Sequence, residues 1–277
     1  MKPNILFIVI DSLRADKCYG DKKTSVTPNI DSLIKNGTYF SQTITHGQST
    51  IPCMSSILTG LYPFESITQN EDIFVINPAA ETYIENLEGF GYHTHATVQD
   101  SLSHMGLSQV FKNNFEMYSV TLKTWTGLGQ QVIDKIKENK QKEPWFYYLH
   151  LYDLYTSIDY ETQTDVKELN DNSFGNTTYG RMFSAIDIWI GKILKTIDTK
   201  KTIVIITADH GHEKGAFTES MEKLHQQNRT VRKHDPGIGF KIGQKIAHKL
   251  PKSMLPVRKK VAEKYTSKTD ERIKEKA

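Results

Sequence analysis

Cysteine is scarce. Cys18 and Cys53 are the two in 277 residues, which excludes a disulfide framework of the kind that staples small loop-rich folds. Long hydrophobic runs are missing as well. The apolar stretch Ile5-Leu6-Phe7-Ile8-Val9-Ile10 stops at Asp11, far short of the roughly 20 residues that span a bilayer. It is also too short for the apolar part of a secretory signal, so the expected location is the cytoplasm. Nor is there a surplus of one charge. Lys and Arg number 35 against 32 Asp and Glu, a net +3, which supplies no whole-protein field for nucleic acid. What remains is ordinary globular composition, 38% hydrophobic and 24% charged, with length for one large domain and an extension.

The apolar residues fall into an alternation of strands and helices. Ile5 to Ile10 reads as a strand covered on both faces, because it is continuous and β-branched. Thr27-Pro28-Asn29-Ile30 opens a helix, with Thr27 as the expected cap and Gly37 as the expected left-handed exit. Helices are expected over Ala80 to Phe90, Leu128 to Lys140 and Tyr179 to Ile197. Strands are expected over Tyr92 to Val98, Trp145 to Tyr152 and Thr202 to Thr207. This order predicts an α/β fold with a doubly wound, mostly parallel central sheet flanked by helices. After about Lys223 the chain turns polar and then lysine-rich, so residues 1–223 are assigned to the α/β domain and 224–277 to a basic extension. Ile242, Ile246 and Leu250 could line one helix stripe before Pro251 and Pro256 interrupt it. Such a segment is mainly a solvated tail. Its lysines also suit weak contact with an anionic membrane surface.

In open α/β sheets, ligands bind beyond the carboxyl ends of the strands. There the first strand delivers Asp11, the aromatic strand His150 and Asp153, and the last strand Asp209 and His210. Carboxylates and an imidazole converging there form an oxygen/nitrogen set for a divalent cation. The plainer reading makes Asp11 and Asp209 helix caps. Between them lies Gly47-Gln48-Ser49-Thr50-Ile51-Pro52-Cys53-Met54. Pro52 suits a first helical turn and places Thr50 at the helix start, where free N–H groups favour a phosphoryl or sulfuryl group. A bound cation could activate the Thr50 hydroxyl as a nucleophile; as a bare Ser/Thr-x-Pro the segment is no more than an N-cap.

Four segments together are specific. Residues Pro3 to Asp16, with Asn4-Ile5-Leu6-Phe7-Ile8-Val9-Ile10-Asp11, resemble the opening of the sulfatase family in the alkaline phosphatase superfamily. Thr27-Pro28-Asn29-Ile30-Asp31, Ser55-Ser56-Ile57-Leu58-Thr59-Gly60-Leu61-Tyr62-Pro63 and Thr207-Ala208-Asp209-His210-Gly211 resemble three further family segments, in the family's order. The resemblance runs from Pro3 to about Gly215. It implies an alkaline-phosphatase-like fold whose smaller C-terminal subdomain is here reduced or missing.

The resemblance also implies roles. The family's modifiable cysteine lies ten positions before the glycine of Thr59-Gly60, and Thr50 stands there. Thr50 is therefore the implied nucleophile, as in the phosphoryl-transfer relatives. Asp11, Thr50, Asp209 and His210 are the implied ligands of one zinc, manganese or calcium ion, and His150 joins Thr50 in the catalytic set. The family's second early aspartate is Ser12, and its motif arginine is Met54. The His-x-x-Asp-Pro-His pattern becomes His150-Leu151-Tyr152-Asp153-Leu154-Tyr155, so Asp153 and Tyr155, with Lys214, are the implied substrate contacts. The implied substrate is a small-molecule or glycan ester of sulfuric or phosphoric acid. Phosphotransfer and a non-catalytic anionic-glycan binder are the alternatives.

Overall fold

The computed structural model describes residues 2–70, 73–112, 114–139, 142–155 and 167–211. Its central sheet has five strands: β1 (Asn4–Ile10), β4 (His93–Gln99), β5 (Phe115–Tyr118), β6 (Trp145–Leu151) and β7 (Thr202–Thr207). Their order is β5-β4-β6-β1-β7, and every neighbouring pair is parallel. A separate antiparallel ribbon pairs β2 (Ile67–Asn70) with β3 (Ile73–Ile76). The longer helices are α2 (Pro28–Asn36), α3 (Thr50–Thr59), α5 (Tyr83–Gly89), α7 (Leu128–Asn139) and α9 (Thr178–Leu194). Short turns of helix are α1 (Ala15–Cys18), α4 (Pro63–Ser66), α6 (Leu107–Val110) and α8 (Lys167–Asn170). No helix among the described residues is long and apolar enough to cross a membrane.

The strands' two-residue period sorts the core onto the two faces of the sheet. Leu6, Ile8 and Ile10 of β1 and Tyr147, Leu149 and Leu151 of β6 face α7 and α9, meeting Val132, Ile136, Phe183, Ile186 and Ile190. Val9, Phe146, Tyr148, Ala96 and Val98 face the opposite way, onto Met54 and Leu58 of α3 and Ile84 of α5. Each such fully buried side chain contributes about 1.5–3 kcal/mol, and helices on both faces are what the doubly wound reading requires.

Two local expectations fail at α2. Thr27 makes no side-chain cap. The free N–H groups of Asn29 and Ile30 instead donate to the carboxylate of Asp187 on α9, at 3.1 and 2.8 Å. Gly37 is extended rather than left-handed, with φ −121°. Glycine is needed there because a Cβ would stand 2.8 Å from the Leu33 carbonyl oxygen. The helix expected from Ala80 begins only at Tyr83, where Glu85 accepts from the Thr82 N–H at 3.0 Å and fixes the start. Lys214 and the basic segment 224–277 lie outside the described residues.

Candidate metal centre and nucleophile

The register of β1 with its neighbours brings the chemistry together. Val9 pairs with His150 on one side and Thr207 on the other. Asp11, His150, Asp209 and His210 therefore meet at the carboxyl edge of three adjacent strands. All four are buried: Asp11 and His150 at 0% exposure, Asp209 at 2% and His210 at 8%. Oxygen and nitrogen atoms of Asp11, Asp209 and His210 lie within 4.8 Å of one another. Thr50 is the first residue of α3, and its Oγ1 donates to Asp11 Oδ2 at 3.0 Å and stands 3.3 Å from His210 Nε2. Five of the eight residues singled out in the sequence thus share one small volume.

The backbone is shaped for this. Ser12 takes a left-handed conformation, φ 62°, which a non-glycine residue adopts at a cost. That turn aims its N–H at Asp209 Oδ1 (3.2 Å) and its hydroxyl at Asp11 Oδ1 (2.7 Å). Tyr179 of α9 clamps the same turn: its hydroxyl donates to the Ser12 carbonyl at 2.8 Å and accepts from the Arg14 N–H at 2.9 Å. Arg14 itself forms an ion pair, its Nε and Nη2 donating to Asp16 at 2.8 and 2.9 Å. Ser12 and Tyr179 are supporting residues that motif reading missed. Ser12 stands where an aspartate was looked for, and Tyr179 reads as one more apolar position on a helix.

Electrostatics set Asp209 apart. Burial first, then the charge of Asp11, holds its carboxyl above the usual aspartate range, against the pull of His150 and His210. Burial works in the same direction on Asp11, but His150, Ser12 and His210 outweigh it, and that carboxyl lies below the usual range. One oxygen of Asp209, Oδ2, and the Nε2 of His150 have no hydrogen-bond partner although both are buried. A buried polar atom left so costs about 1–3 kcal/mol. Two carboxylates and the His210 imidazole, with ligand atoms within 4.8 Å of one another, are the donor set of a borderline-soft divalent cation, and these residues fit such an ion. His210 Nδ1 lies 2.8 Å from the Gly211 carbonyl. As donor there, it leaves the Nε2 lone pair turned toward Thr50 and the carboxylates.

The remaining sequence candidates stand apart. Asp153 is buried, but both of its oxygens are taken: Oδ1 by the Thr124 N–H at 2.7 Å and Oδ2 by the Thr124 hydroxyl at 2.8 Å. Both contacts anchor the turn before α7. Tyr155 is 47% exposed and stacks on Tyr152, ring centroids 4.5 Å apart. Cys53 is buried in α3, and burial pushes its thiol up, so it is an inert packing residue. Beyond the centre, Thr45 donates to the Asp209 carbonyl at 2.6 Å. From there a row of rings leads outward. His46 meets Tyr62 edge-on at 5.2 Å, and Tyr62 stacks on Phe64 at 5.7 Å. Phe64 is 81% exposed.

The chain is similar to known proteins in sequence and in fold. The family model described as Sulfatase matches residues 3–245. An ulvan-active sulfatase of Formosa agariphila is 25% identical over 242 residues, covering 78% of this chain and 46% of its own length. A sulfatase structure from a glycosaminoglycan-metabolism locus of Bacteroides thetaiotaomicron superposes with a TM-score of 0.59 at 20% identity, over 76% of this chain and 63% of that one. The C-terminal periplasmic domain of a phosphoethanolamine transferase from Campylobacter jejuni gives 0.52 at 15% identity, over 77% and 70%. The chain spans 19% to 46% of the length of three curated relatives it matches.

Proposed function

Because the chain belongs to the sulfatase family, we propose that it cleaves a sulfuric or phosphoric ester with Thr50 as nucleophile, at a centre where Asp11, Asp209, His210 and Thr50 hold one divalent cation. The observation that carries the reading is the close set of buried Asp11, Asp209 and His210 with half-buried Thr50, an Asp209 oxygen being left without a partner. The ion would neutralise ester charge and ease deprotonation of the threonine hydroxyl. Asp11 accepts the hydroxyl hydrogen of Thr50 and orients the oxygen. The start of α3 offers its free N–H groups to the ester oxygens. Attack forms a Thr50 phosphate or sulfate ester and breaks the bond to the substrate alcohol, which leaves with a proton from water. Water then displaces Thr50; an acceptor hydroxyl in its place would make the same chemistry a phosphotransfer. The hydroxyl nucleophile, where other family members carry a modifiable cysteine, favours phosphoryl over sulfuryl esters.

A sugar is the proposed carrier of the ester. The names of matched relatives point to sulfatases acting on ulvan and in glycosaminoglycan metabolism. The exposed rings of His46, Tyr62 and Phe64 offer flat apolar faces next to the Thr45 anchor. The test is a turnover screen on nitrophenyl sulfate, phosphate monoester and phosphodiester with zinc, manganese and calcium, followed by mass spectrometry of quenched enzyme. The expected result is turnover of at least one ester with a mass adduct on Thr50. An adduct on another residue, or an aldehyde at Cys53, overturns the nucleophile.

A further inference from the structure

Another buried histidine, His95 of β4, is 5% exposed. Its ring lies beside Tyr147 of β6, centroids 5.3 Å apart, on the face of the sheet that α7 covers. Asn114 fixes its tautomer. The Asn114 amide nitrogen donates to the Thr94 carbonyl, so the amide oxygen faces the imidazole, and Nδ1 donates to it at 3.2 Å. Nε2 is then a bare lone pair, with no hydrogen-bond partner among the described residues. A proton from solvent can be added only there. The carboxylate facing that nitrogen belongs to Glu116 of β5, with Oε2 at 3.9 Å. Glu116 is already engaged. Its Oε1 lies 2.6 Å from Lys135 Nζ on α7, and Lys135 also holds Glu138 at 3.0 Å.

These contacts keep β5 in place. It is a four-residue strand at the end of the sheet, paired with β4. Beyond the ladder, Asn114 holds its head, Glu116 its middle and Tyr118 its end. The buried Tyr118 hydroxyl donates to the His150 carbonyl at 2.7 Å and accepts from the Tyr152 N–H at 3.0 Å. Tyr118 is thus a strut behind the end of β6. Burial is the strongest influence on the His95 ring and lowers its pKa below the ordinary histidine value. Lys135 acts in the same direction, and Asn114, Glu116 and Glu138 do not make up the difference. The neutral ring therefore fits the closed strand, while an open strand, its ring in water, binds the proton more tightly. We propose that His95 is a proton-operated latch: protonation at Nε2 releases β5 from β4 and α7 and withdraws the Tyr118 strut from the end of β6. By linkage, the closed strand keeps its full stability above the ordinary histidine pKa of about 6.5 and loses it as pH falls below that value. The latch involves neither the cation nor Thr50.

The test is hydrogen exchange, read by mass spectrometry on the full wild-type chain at about pH 7.5 and about pH 5.5, either side of the ordinary histidine value. After correction for intrinsic exchange rates, protection of β5 is expected to fall about three- to tenfold at the lower pH. The peptide holding Tyr152, whose N–H the Tyr118 hydroxyl accepts, should lose protection in step. In His95→Gln, whose side chain does not titrate, both losses should vanish. A second arm needs no variant: the ring Cε1–H resonance of His95 in the wild-type protein should titrate with a midpoint below about 6.5. Protection of β5 that holds or rises on acidification overturns the latch, and so does a midpoint at or above about 6.5. A loss that persists in His95→Gln assigns it to other groups and overturns the latch as well.

Discussion

Asp153 and Asp209 are both buried aspartates a short step past the end of a strand in one sheet, and burial raises the carboxyl of each. They differ in what they face. Asp153 has both oxygens closed by Thr124. Asp209 keeps one oxygen closed by the Ser12 and His210 N–H groups and leaves the other open toward His150 and His210. Satisfied burial builds structure, because the hydrogen bonds repay desolvation. Unsatisfied burial is tolerated where a ligand completes the set. The sequence alone presents the two as equals.

The contrast can be broken by mutation. The largest expected effect is on turnover: Thr50→Ala should lower kcat by at least about 10³-fold while metal content, read by elemental analysis, stays near stoichiometric. Next, Asp209→Asn should weaken zinc binding at least about 100-fold. Because it removes a charge that burial penalises, the metal-free variant should melt no lower than the metal-free parent. Asp153→Ala should do the reverse. It strands the Thr124 N–H and hydroxyl, costing about 1–3 kcal/mol by denaturant titration, with zinc affinity unchanged. Weakened zinc binding in that variant would place Asp153 in the site after all.

The pH response sharpens the comparison further, though by less. The Asp209 carboxyl is raised in the fold, so its ionisation opposes folding of the metal-free protein above that elevated pKa. Acidification through it relieves the opposition. Zinc binding runs the other way, since the ligand must be ionised: affinity is full above the raised pKa and falls as pH drops through it. Melting curves at descending pH should therefore show the stabilising increment from zinc shrinking before the metal-free protein loses stability. An increment that stays constant down to the ordinary aspartate range would contradict the raised Asp209.

Much of the frame was readable because it rests on short-range signals. β1, β6 and β7 are continuous apolar runs. Thr50 at the head of α3 follows from Pro52. The ribbon of β2 and β3 and the strand β5 were not readable, because runs of four residues are too short to carry a clear period. The Asp187 clamp on α2 joins residues 157 and 158 positions apart, and nothing in the helical pattern of α9 marks that position. For the site, motif spacing found Asp11, Thr50, His150, Asp209 and His210. It could not tell which of their atoms lack partners, since that depends on every neighbour at once.

The parallel order has a consequence for how the protein comes into being. β1 emerges first from the ribosome, yet it is the strand lying between β6 and β7, both far downstream. Its two edges stay open until residues 145–151 and 202–207 have been made. Closing such loops is slow, because the entropy of a long segment is lost before any contact rewards it. Asp11 therefore waits until Asp209 and His210 have been made. A nascent chain arrested between Leu151 and Thr202 should expose the edge of β1 that β7 later covers, and it would be a natural target for chaperones.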